Sequence, residues 1–186
     1  LNTYPRENFK LKRDLDFTGI PQSQIYISQI YGILDGENHS VSNISSGKRI
    51  IGNIETGGLI QNIQFNNITL QSVQNSGGNA VGIIQSTYGN IINVSVNNAK
   101  VIVNNINDKR IGILVGQSTY ANITNSSINN SQIVINASLS STDIGGITGY
   151  IADGNINNSY IYNLEIQANN VLVSCNIGGI VGNIHY

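Results

Sequence analysis

The sequence predicts an all-β chain wound as a right-handed parallel β-helix, a solenoid of about six coils. Three observations lead there. Apolar residues alternate with polar ones, but the phase of that alternation slips at asparagines. A β-branched residue followed by glycine recurs at a nearly fixed interval. No ten-residue window carries the 3.6-residue period that a helical repeat would need.

The first observation is plainest between Asn90 and Val103. Ile91 lies on one parity, Val94 and Val96 on the other, and Ala99, Val101 and Val103 return to the first. Side chains alternate faces along a strand, so each slip would turn the apolar set outward unless the chain bends there. The slips fall at Asn93 and Asn98, and asparagine accepts the left-handed backbone of a corner better than most residues. The spacing recurs around Asn62 and Asn67, Asn125 and Asn130, and Asn158 and Asn163. Stacked coils would place Asn62, Asn93, Asn125 and Asn158 in one file and Asn67, Asn98, Asn130 and Asn163 in another. Stacked amides can then hydrogen-bond along the axis. Asn43, 19 residues before Asn62, reads as an earlier corner at the same short interval that separates Gly32 from Gly52.

The second observation is the series Ile51-Gly52, Val81-Gly82, Ile111-Gly112, Ile144-Gly145 and Ile177-Gly178, whose glycines are spaced by 30, 30, 33 and 33 residues. An aliphatic residue follows three positions after each β-branched member. Residues 1–37 differ in holding both prolines and a mixture of Arg6, Lys10, Lys12, Arg13, Glu7, Asp14 and Asp16 over an apolar set. They read as an N-terminal cap with strands near 9–17 and 25–34, covering the first edge of the solenoid. Residues 38–186 then form the repeats of a single domain. The chain stops inside a repeat, which predicts an uncapped last coil that meets either further chain or a second molecule end to end. The absence of methionine and of a charged-then-apolar leader leads to the expectation of a processed or excised piece.

Gly145-Gly-Ile-Thr-Gly149 and Gly178-Gly-Ile-Val-Gly182, each after an isoleucine, resemble the GLUG motif. Repeats of that kind occur in surface proteins of bacteria and protists, including immunoglobulin A-cleaving metallopeptidases. Phe9–Phe17 and Tyr31–Ile44 are similar to the segment that precedes such repeats. The resemblance implies a β-helical stalk or adhesin module rather than a catalytic domain.

Composition narrows the function further. Charged residues make up 10% of the chain and the net charge is −1, so nucleic acid and anionic membranes are not expected partners. No apolar run reaches membrane-spanning length. The zinc motif of the metallopeptidases, other metal clusters and nucleotide fingerprints are absent, so no cofactor, metal site or catalytic residue is expected. Cys175, the one cysteine, reads as a core thiol, although a pairing with His185 is conceivable. The densest acidic group, Asp14, Asp16, Asp35 and Glu37, supplies the only carboxylate cluster for a polysaccharide-cleaving alternative. Tyr88 and Tyr120, continued by Tyr150, read as a row able to touch carbohydrate or a partner.

The 30 asparagines create nine Asn-x-Ser/Thr signals. Those in the corner files have engaged amides. Asn38, Asn122, Asn129, Asn136 and Asn157 lie outside the files and are the predicted glycan acceptors in a secreted chain. The expectation is therefore a non-enzymatic extracellular or cell-surface protein: a stalk, coat or filament subunit that self-associates through its coil ends, with glycans as further partners. The alternative is a carbohydrate-binding or polysaccharide-cleaving β-helix.

Overall fold

The computed structural model describes residues 2–21, 26–72 and 79–185. Every described regular element is a strand, and every strand pairing is parallel. The chain climbs as a solenoid of six rungs, running over residues 9–30, 33–54, 59–87, 90–119, 122–152 and 155–185. The broadest face is a ribbon folded at the asparagine corners, exemplified by Leu59–Ser72. A second face stacks Ile27–Ile30, Ile51–Ile54, Ile84–Thr87, Val115–Thr119, Thr148–Ala152 and Val181–His185. The third stacks Ala80–Val81, Arg110–Gly112, Asp143–Gly145 and Asn176–Gly178. Among the described residues, four rungs thus carry all three faces, and the first two carry two.

Inward residues of successive rungs form files through the core: Ile60, Ile91, Ile123 and Ile156 make one, and Leu70, Val101, Ile133 and Ile166 another. In the middle rungs these side chains are fully buried. β-branched residues suit this site because their restricted rotamers pack against like neighbours on a pleated surface. The file Gly112, Gly145 and Gly178 sits where the third face turns into the second. A Cβ at Gly112 would run into the carbonyl oxygen of Val115, and one at Gly145 into that of Thr148. The glycine repeat is therefore a close-approach requirement.

The register corrects the earliest landmarks. Ile51 pairs with Ile27 and Ile84, not with Val81. Rung two has no third-face strand, so Ile51-Gly52 enters the second face directly, and Val81 begins the file continued by Ile111 and Ile144. Asn43 likewise falls opposite Asn67, 24 residues on, rather than opposite Asn62.

The described strands of residues 9–21 and 26–30 stack on rung two as later rungs stack on one another. Phe9–Lys10 pairs with Ile33–Asp35, Leu15–Asp16 with Ser40–Ser46, and Ile27–Ile30 with Ile51–Ile54. Residue 25, where the strand expected near 25–34 begins, lies outside the described residues.

Candidate functional site

The corners come first, because they set which side chains face out. Asn43, Asn62, Asn67, Asn93, Asn98, Asn125, Asn130, Asn158 and Asn163 all have φ between 47° and 61°. The side chains of Asn43, Asn62, Asn67, Asn93, Asn98, Asn130 and Asn163 bond along the axis. Asn93 Nδ2 donates to Asn62 Oδ1 at 2.8 Å, Asn98 to Asn67 at 3.3 Å, Asn67 to Asn43 at 3.1 Å, and Asn163 to Asn130 at 3.0 Å. Each file ends on a carboxylate near the N-terminus: Asn62 Nδ2 donates to Asp35 Oδ1 at 3.2 Å, and Asn43 Nδ2 to Asp16 Oδ1 at 2.9 Å. An anionic acceptor strengthens the terminal bond of a ladder whose members are neutral.

In rung five, serine hydroxyls follow both corner asparagines. Ser126 Oγ accepts the Val94 N–H at 3.3 Å and donates to the Thr124 carbonyl at 3.1 Å. Ser131 Oγ does the same between the Ala99 N–H, at 3.0 Å, and the Asn129 carbonyl, at 2.8 Å. At Ser126 the strands Asn122–Thr124 and Ser127–Ile135 are separate, whereas Ser131 lies within Ser127–Ile135.

Outward-facing asparagines make further ladders that parity counting missed. Asn97 donates to Asn66 at 2.8 Å and Asn129 to Asn97 at 3.0 Å. Asn136 donates to Asn104 at 3.0 Å, Asn169 to Asn136 at 2.8 Å, and Asn155 to Asn122 at 3.2 Å. Three of the five glycan candidates, Asn122, Asn129 and Asn136, thus stand inside ladders, contrary to the premise that selected them. Asn38 is exposed with φ 68°, and its N–H bonds the Asn62 carbonyl, so it too stands at a corner. Asn157 is exposed in Asn155–Asn157. Pairing asparagines 31 to 33 residues apart would have exposed these ladders in the sequence.

The tyrosines do not form the expected row. The pairing of Thr87 with Ser118 puts Tyr88 opposite Thr119, so Tyr120 is one residue further on. Tyr120 is an extra corner residue with φ 57° and is 68% exposed. Tyr150 lies opposite Gln117 and Asn183, in a different file. The Arg110 guanidinium covers its ring at 4.6 Å and also donates to Gln117. Two tyrosines not singled out from the sequence, Tyr160 and Tyr162, project from one outward face beside Ser127 and Asn129.

The N-terminal carboxylates are occupied as hydrogen-bond acceptors. Asp14 Oδ1 accepts the Ser40 N–H at 2.8 Å, and Asp16 Oδ1 accepts the Thr18 N–H at 2.9 Å. Asp35 accepts the Glu37 N–H at 2.9 Å and the Gln61 amide at 2.8 Å. Glu37 pairs with Lys10 at 2.5 Å and Lys12 at 3.5 Å. These bonds hold all four carboxyls below their ordinary pKa, chiefly the Ser40 N–H for Asp14, the Asn43 amide for Asp16, the Glu37 N–H for Asp35 and the Lys10 hydrogen bond for Glu37. Cys175 is half-buried with its Sγ near the carbonyls of Val173 and Leu139, while His185 pairs with Ala152 in the second face. Among the described residues, no three metal-ligating side chains converge, and no helix is long and apolar enough to cross a membrane.

No family model and no curated protein matches this chain. Among solved structures, it is similar to one titled "putative immunoglobulin A1 protease from Bacteroides ovatus", at 16% identity and a TM-score of 0.46, covering 95% of this chain and 77% of that one.

Proposed function

We infer that this chain is a non-enzymatic structural and adhesive β-solenoid that works outside the cell, as a stalk, coat or filament unit recognised through its rung ends. The observation that carries the reading is the last rung. Ile177 and Ile184 are each 52% exposed, whereas Ile144 and Ile151, which they pair with one rung earlier, are 0% and 3% exposed. An apolar cross-section with unpaired strand edges is a template for another strand layer. The occupant is the first rung of a second copy. Against catalysis, a general acid needs a carboxyl raised toward working pH, and the acidic cluster is shifted the other way.

Sedimentation of the purified chain over a wide concentration range tests the reading. Growth of end-to-end oligomers supports it; an unchanging monomer removes assembly from it. The exposed pair Tyr160 and Tyr162, flanked by hydroxyl and amide groups, favours a second reading as a carbohydrate-binding face. Glycan-array binding lost in the double alanine variant would establish that one instead.

Glycans, where the host attaches them, belong at Asn38 and Asn157, because occupancy at Asn122, Asn129 or Asn136 would remove ladder bonds. Intact mass before and after glycosidase reads this directly.

A further inference from the structure

The one fully buried ion pair among the described residues has no role in the surface reading. Lys48 Nζ lies 2.5 Å from Asp108 Oδ1, with the two side chains 2% and 0% exposed. The pair joins the turn after rung two's ribbon strand, Ser40–Ser46, to the loop after Lys100–Val103 in rung four, 60 residues apart. Both sides are fixed. Lys48 accepts the Gly82 N–H on its own carbonyl at 3.1 Å, and Thr142 Oγ1 donates to the Asp108 carbonyl at 3.2 Å.

As an ion pair this arrangement is poor. Asp108 Oδ2 is buried without a hydrogen-bond partner, and so is Asn105 Nδ2 in the same turn. Asn105 is held by its own Oδ1, which accepts the Asn107 N–H at 3.1 Å, while its carbonyl receives the Asp108 N–H at 3.3 Å. A buried pair with an uncompensated carboxylate oxygen forfeits much of its attraction to desolvation. A neutral amide at the same place would carry neither charge and one oxygen fewer.

We propose that Lys48 and Asp108 condense into an intramolecular isopeptide bond. Proton transfer within the pair gives a neutral amine and a carboxylic acid. Nζ, already at contact distance from the carboxyl group, attacks Cγ. The Nζ–Cγ bond forms, one Cγ–O bond breaks, and that oxygen leaves with two protons as water. No oxidant or cofactor is consumed. The product staples rungs two and four across rung three, so that the first rungs cannot peel away from the rod.

The test is the intact mass of the whole purified chain under denaturing conditions, followed by peptide mapping. The expected result is a mass lower than the sequence mass by one water and a branched peptide joining Lys48 to Asp108, uncut by trypsin at Lys48. Lys48→Met and Asp108→Ala should each restore the full sequence mass. A wild-type chain at full sequence mass overturns the proposal. So does a one-water deficit that mild alkaline hydrolysis reverses, with no branched peptide, since that marks a succinimide at Asp108. The reading of the rung ends stands or falls separately.

Discussion

A left-handed backbone costs an ordinary L-residue about 1–2 kcal/mol, and Asn93 holds that conformation while donating to Asn62. Asn93→Ala should therefore lose both the conformational allowance and the bond, about 2 kcal/mol in all. Asn93→Gly should lose only the bond, about 1 kcal/mol. Urea midpoints of the two variants separate the contributions, and equal losses would show that the corner geometry contributes nothing. Ser131→Ala should strand the buried Ala99 N–H at a cost of about 1–3 kcal/mol, read by the same measurement. At this scale the corners were legible because a phase slip leaves a mark in the pattern. The outward ladders through Asn97 and Asn136 were not, since a polar residue at an outward position looks ordinary until the coil-to-coil offset is known.

Single elements show where the sequence pattern misleads. Rung two skips the third face, so the glycine landmark at Gly52 shifts, and the inserted Tyr120 breaks the alignment with Tyr88. Both errors come from assuming a constant coil length. The first rung carries a pH dependence of its own. Asp14, Asp16, Asp35 and Glu37 have pKa values lowered by their native hydrogen bonds. Such groups stabilise the fold fully above the unfolded carboxylate pKa, and that contribution is lost as pH falls through the lower folded values. The melting midpoint should accordingly drop on acidification below the ordinary carboxylate range. Asp16→Asn combined with Asp35→Asn should lower the neutral-pH midpoint and shrink the acid-induced drop. An unchanged pH profile in that variant would mean the cluster is only a solvated surface.

For the whole molecule, the solenoid architecture was evident from periodicity alone, because alternation, slip and repeat length all point to the same winding. What the rod touches was not, since exposed side chains at its ends and outward faces follow no recurring pattern. Ile177 and Ile184 offer the decisive lever. Replacing both by lysine puts charges on the last rung's apolar surface and should abolish concentration-dependent assembly while leaving the melting midpoint within about 1 kcal/mol equivalent, as exposed substitutions do. Sedimentation velocity and thermal melting on the same samples report the two outcomes.

The coil lengths carry one more consequence. Bonded asparagines are 24 residues apart between Asn43 and Asn67, 31 between Asn62 and Asn93, 32 between Asn97 and Asn129, and 33 between Asn130 and Asn163. Chemically interchangeable layers would let a growing chain dock one layer too far and still find familiar partners. Unequal circumferences deny it that choice: a misplaced layer has slack or falls short, like a thread whose pitch fits a single nut.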